Sequence, residues 1–152
     1  MAPCAGELTI ANTSKVKVGT MSAEQTRIVL ITGYSGAGKS TALNQFEDLG
    51  WEVADNIPLT LLSPLVMEIS KEGGLNIAVG VDTRTRGFSA DKLIEIIERL
   101  KAETHNGVEL LFLECDSDIL QRRFTETRRK HPLAGDRPVA DGIKAERTLF
   151  RA

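Results

Sequence analysis

Residues 33–40 read Gly33-Tyr34-Ser35-Gly36-Ala37-Gly38-Lys39-Ser40, a complete G-x-x-x-x-G-K-[ST] pattern, the P-loop. Each position has a task on a phosphate chain. The glycines admit backbone conformations that a Cβ forbids, so that successive N–H groups can turn inward as an anion-binding nest. The helix expected from about Lys39 adds unpaired N–H groups and a positive dipole end. Lys39 is expected to reach the β- and γ-phosphates, and the Ser40 hydroxyl to help hold Mg²⁺. Thr41 falls one position past the metal ligand. The motif identifies a phosphate; it identifies neither the base nor the reaction.

A metal beside a triphosphate needs a carboxylate. Asp82 ends an apolar strand pattern, the place from which an acidic residue holds Mg²⁺ in P-loop enzymes. Lys39 and Asp82 are therefore the candidate catalytic pair, with Ser40 and Asp82 as metal ligands. Asp55 closes another strand pattern and is the rival, as a group facing a substrate or partner. Arg84 and Arg86 follow Asp82 and would lie near the carboxyl ends of the strands, where ligands bind in such sheets. Arg84 is a candidate phosphate contact; Arg86 reads as a solvated loop residue.

The densest basic segment runs from Arg122 to Pro132, with Arg122, Arg123, Arg128, Arg129, Lys130 and His131. On a helix, Arg122, Glu126 and Arg129 would share a face and pair in part. Three readings stand: a solvated face, a phosphate-clamping lid, or a patch for RNA or protein. Phe124 is the single aromatic there, which weakens base stacking and favours the first two. His131 reads as a turn residue beside Pro132 and not as a catalytic base. No H-E-x-x-H, Cys-x-x-Cys, G-x-S-x-G or guanine-reading N-K-x-D is present.

These groups need a frame, and the pattern of apolar residues supplies one. Arg27–Thr32, Trp51–Asp55, Asn76–Val81 and Glu109–Cys115 read as strands, the last as one covered on both faces. Helical spacing follows the loop (Ala42, Phe46, Leu49, with Gly50 as the C-terminal stop). It recurs over Leu59–Glu72, where Ser63-Pro64 suits an N-cap and first helical position. It recurs again from Ser89 to about Glu103, with Leu93, Ile96, Ile97 and Leu100 as a core stripe. Charged helices are expected over Asp116–Lys130 and near Asp141–Arg151. The alternation βαβαβαβα predicts a three-layer α/β, P-loop NTPase/kinase-like domain with a mostly parallel sheet. Such a domain usually has a fifth strand, so the pattern reads as incomplete at its C-terminal end.

The 152 residues, 41% hydrophobic and 26% charged, suit one domain with a real core. Residues 1–26 are small and polar without periodicity and read as a disordered extension, with Met21 a plausible alternative start; the domain is expected over 27–152. A net charge of −2 gives no global field toward nucleic acid or anionic membrane. No apolar stretch approaches transmembrane length. Two cysteines, Cys4 and Cys115, make no disulfide framework, so a reducing cytoplasm is the expected setting. Cys115 reads as a small core hydrophobe.

The ordered set of pieces resembles the RapZ-like (YvcJ/YhbJ) family of bacterial P-loop nucleotide-binding proteins. The matching pieces are Ile31–Ser40, Phe46–Gly50, Asp55-Asn56-Ile57-Pro58, Leu61-Leu62, Val81–Arg84 and Leu113–Asp116. Further matches are Arg122-Arg123-Phe124, Thr127-Arg128-Arg129 and His131-Pro132-Leu133. The resemblance spans about residues 27–150. It implies binding of ATP and GTP with slow hydrolysis of both. The family's first nucleotide segment maps to Gly33–Ser40 and its second to Asp82-Thr83-Arg84-Thr85. Some members act in small-RNA turnover and amino-sugar metabolism through a C-terminal domain that these residues do not include. An RNA or protein partner would belong to that domain.

Overall fold

Successive side chains of β1 (Ile28–Gly33) point to opposite faces of the sheet, and both faces are covered: all six residues are buried. Ile28 and Leu30 join one apolar cluster, Val29 and Ile31 another. A period of two with apolar residues at every position is the signature of a central parallel strand. The computed structural model describes residues 26–72, 74–85, 87–104 and 107–151. The expected extension, apart from Thr26, lies outside the described residues, as does Arg86.

β1 pairs in parallel with β3 (Ile77–Gly80) on one side and β4 (Val108–Leu113) on the other, and β2 (Glu52–Asp55) flanks β3, giving the order β2-β3-β1-β4. Parallel neighbours need crossover connections. Helices α1 (Lys39–Asp48), α2 (Leu59–Glu72) and α3 (Ala90–Glu103) supply them. Leu59, Leu62 and Val66 of α2 and Leu93, Ile97 and Leu100 of α3 bury against one face of the sheet. Leu43 of α1, with Phe46 and Trp51, covers the other. These form the three layers of an α/β domain. Helices α4 (Ser117–Thr127) and α5 (Val139–Arg151) follow β4 and pack on each other beside its carboxyl end.

The structure departs from expectation in three elements. Helix α2 begins at Leu59, so Pro64 lies inside it and does not open it. A helical proline costs about 3 kcal/mol. Leu59, Leu62 and Val66 form one continuous buried stripe across the proline, and each such side chain contributes about 1.5–3 kcal/mol. Burial therefore outweighs the broken hydrogen bond. Second, β4 is an edge strand among the described residues; Leu110 and Leu111 reach apolar clusters on opposite faces, but Glu109 is exposed and Leu110–Phe112 are only half-buried. Glu109 meets Arg27 there at 3.0 Å, a charged device that discourages edge pairing. Third, α4 stops at Thr127, with Arg128 in the left-handed region at φ 52°. Arg129 thus leaves the helix face, and only the exposed Arg122–Glu126 pair, at 3.9 Å, remains of the expected trio.

Candidate functional site

The carboxyl ends of β1, β2 and β3 bring the P-loop, Asp55 and Asp82 together. The loop leaves β1 at Gly33 and enters α1 through Gly38, whose φ of 111° is one that residues with a Cβ rarely adopt. Its amides divide into two sets. The Tyr34 N–H donates to the Leu113 carbonyl at 3.1 Å, the Ala37 N–H to the Tyr34 carbonyl at 2.9 Å, and the Ser35 N–H to Glu146 Oε2 at 2.9 Å. The amides of Gly36, Gly38, Lys39 and Ser40 have no acceptor among the described residues. The loop's outer side thus presents four donors at a helix N-terminus, an arrangement suited to an anion. Tyr34 contributes backbone alone. Its ring is turned inward against Phe112 and Phe150, at 5.4 and 5.9 Å, under the Arg147 guanidinium.

Lys39 Nζ sits between the two carboxylates that sequence reasoning set against each other, 2.5 Å from Asp55 Oδ1 and 3.2 Å from Asp82 Oδ2. Asp82 also accepts from Arg84, through its backbone N–H at 2.9 Å and its guanidinium at 3.0 Å. Burial pushes the Asp82 carboxyl up, but Arg84 and Lys39 outweigh it and hold the group below its usual value. The segment Asp82–Thr85 is a tight turn. The Thr85 N–H donates to the Asp82 carbonyl and the Asp82 N–H to Thr85 Oγ1, so buried Thr85 shapes the turn. The Thr83 hydroxyl donates to Glu146 Oε1 at 3.0 Å.

In front of the loop lies a cavity of about 310 Å³. Gly33, Ser35, Gly36, Gly38, Lys39, Ser40, Asp82 and Arg84 form its floor. The basic segment forms the opposite wall, with Arg123, Phe124, Thr127, Arg129, Lys130 and Pro132. Arg123 donates to the Gly36 carbonyl at 2.8 Å. Part of that segment thus lines the cavity, while Arg122 stays on a solvated face. No group of three or more His, Cys, Asp or Glu residues placed to hold a metal ion occurs among the described residues.

Sequence reasoning missed the group behind the loop. Glu146 of α5 is fully buried and accepts four hydrogen bonds. They come from Ser35 N–H (2.9 Å), Ser35 Oγ (2.7 Å), Thr83 Oγ1 (3.0 Å) and His131 Nε2 (3.1 Å). Burial pushes its carboxyl up, and the bonds from His131 and Ser35 more than reverse this, leaving it below its usual value. His131 does open a turn beside Pro132, its carbonyl accepting from the Ala134 N–H at 3.1 Å, but its side chain is wholly enclosed. The Leu133 N–H donates to its Nδ1 at 3.1 Å, which leaves Nε2 as the protonated nitrogen facing Glu146. The ring rests on Gly142 of α5, where a Cβ would come within 2.6 Å of Nδ1. A signal was available. Val139, Ile143, Glu146 and Phe150 share one helical stripe, so the carboxylate stands where an apolar residue is expected.

A parallel sheet with helices on both faces and a complete P-loop at its strand ends defines a P-loop, kinase-like domain. Its fold is similar to a gluconokinase from Sinorhizobium meliloti (TM-score 0.51, 15% identity, covering 82% of this chain and 74% of that one). It is also similar to a shikimate kinase from Bacteroides thetaiotaomicron (TM-score 0.50, 16% identity, 82% of each chain). The family model of the RapZ-like N-terminal domain matches residues 26–152, and the chain belongs to that family. A protein named nucleotide-binding protein from Zymomonas mobilis is 48% identical over 128 residues, covering 82% of this chain. Another so named, from Paramagnetospirillum magneticum, is 50% identical over 125 residues, covering 81%. The chain spans 40% of the length of each of these relatives.

Proposed function

We propose that the domain binds a nucleoside triphosphate, ATP or GTP, with Mg²⁺ in the cleft between the P-loop and the basic wall, and hydrolyses it slowly as a regulatory module. The observation that carries this reading is the meeting of Lys39, four unengaged loop amides and Asp82 at the strand ends. The amides and Lys39 would take the β- and γ-phosphates, with Arg84, Arg129 and Lys130 along the remaining oxygens. Ser40 and Asp82 fit Mg²⁺, which keeps several waters and takes one or two carboxylates beside substrate phosphates. The bound ion would neutralise charge on the phosphates. The names of the relatives support the nucleotide; the choice of base rests on family resemblance.

A second reading is transfer of the γ-phosphoryl group to a small hydroxyl compound. The observation favouring it is Asp55, partly exposed and held beside Lys39, where a base for an acceptor hydroxyl would stand. Thermal unfolding with Mg-ATP and with Mg-GTP tests the first step shared by both readings. At a hundred times Kd the ligand stabilises the folded state by about 2.7 kcal/mol. A midpoint unmoved by either nucleotide overturns them together. Phosphate release without an acceptor supports hydrolysis; release that depends on an added sugar or polyol supports transfer.

A further inference from the structure

Every partner of Glu146 either lines the cleft or adjoins a residue that does. Ser35 lines the cleft itself, Thr83 stands between Asp82 and Arg84, and His131 stands between Lys130 and Pro132. One carboxylate on α5 thus ties together the P-loop, the turn carrying Asp82 and the basic wall. Its cost is high. A buried charge is seldom a better stabiliser than apolar side chains of the same volume, and a negative group behind an anion site opposes the anion it faces. Neither bulk stability nor electrostatic attraction accounts for an acid here. Directional hydrogen bonding does: two oxygens fix four donors from three segments.

We propose that Glu146 is a positioning residue of the phosphate site, setting the P-loop, the Asp82 turn and the basic wall at their working separation. The proposal rests on the nucleotide reading given above. It makes a distinction that charge alone does not. A glutamine with its amide oxygen in place of Oε2 accepts from the Ser35 N–H and from His131 Nε2. Its amide nitrogen, in place of Oε1, donates to Ser35 Oγ and Thr83 Oγ1, both of which are hydroxyls that rotate to accept. Glutamine preserves the geometry and removes the repulsion. Alanine removes the geometry.

The test is calorimetric titration of the wild type, Glu146→Ala and Glu146→Gln with Mg-ATP and Mg-GTP, well below each unfolding midpoint and with near-ultraviolet circular dichroism confirming the fold. Glu146→Ala is expected to bind roughly tenfold more weakly or worse, as misplacement of a site's groups does. Glu146→Gln is expected to bind at least as tightly as the wild type. A lowered unfolding midpoint with undiminished affinity in Glu146→Ala would make Glu146 a structural residue only and overturn the proposal. So would equal losses in the two variants. Should Glu146→Ala not fold, Ser35→Ala decides: a several-fold loss supports the proposal and unchanged affinity overturns it. A wild type that binds no nucleotide removes the nucleotide reading and this proposal with it. A wild type that binds while Glu146→Ala binds equally well removes this proposal alone.

Discussion

The P-loop has an acid on each side, and the two are satisfied in opposite ways. In front, Asp82 is held by cations, the Lys39 ammonium and the Arg84 guanidinium. Behind, Glu146 is held by hydroxyls, an amide and an imidazole N–H. Both carboxyls lie below their usual values despite burial. Beside the Arg84 backbone N–H, two partners of Asp82 are ends of long side chains, which an arriving phosphate could draw away. The partners of Glu146 sit on backbone or on short side chains and have nowhere to go. The difference teaches that the loop has an exchangeable face and a fixed one.

The largest effect that separates the faces is expected from Lys39→Ala. It should weaken Mg-ATP binding by about 3 kcal/mol, on the order of a hundredfold, while the fold persists by circular dichroism. Retained affinity would mean that the front face does not hold the phosphates. Next comes the seat of His131. Gly142→Ala would gain about 1 kcal/mol of helix propensity, but its methyl group would press on the His131 ring and on Ala134 Cβ. Overpacking of this kind costs about 1–3 kcal/mol, so the urea midpoint should fall. A raised midpoint would show the rear face to be soft. The smallest effect lies in acid. The folded pKa of Glu146 is below its usual 4.5, so its contribution is complete above that pH and is lost as pH falls through the folded value. The stability of the wild type relative to Glu146→Gln should therefore decline below about pH 4.5. A constant difference would show that the carboxylate is not specially held.

Much of the frame was legible because it rests on local signals. The P-loop spacing, the apolar run of β1 and the Leu93, Ile97, Leu100 stripe all mark structures that the chain forms. What escaped depends on partners distant in sequence. Pro64 signals a helix start by propensity, and only the burial of Leu59 and Leu62 overrides it. Glu109–Cys115 reads as covered on both faces, and Leu110 and Leu111 do reach opposite clusters; only the strand order reveals β4 as an edge among the described residues. Asp55 and Asp82 appeared to be alternatives, whereas the sheet brings both to Lys39. Glu146 looks like any helical glutamate, since its donors lie 15, 63 and 111 residues away in the chain. Its one local mark, a charge on an apolar stripe, gains meaning once His131 and Ser35 are seen to converge on it.

Because Lys39 is already shared between two acids, nucleotide capture at the proposed site would be an exchange of partners and not the filling of a waiting charge. Its side chain is only 13% exposed, against 65% for Arg84 and 84% for Lys130. An incoming anion therefore meets the rim first and the lysine last. Ionic strength should then govern how fast nucleotide arrives, through Arg84 and Lys130, while the lysine governs how long it stays.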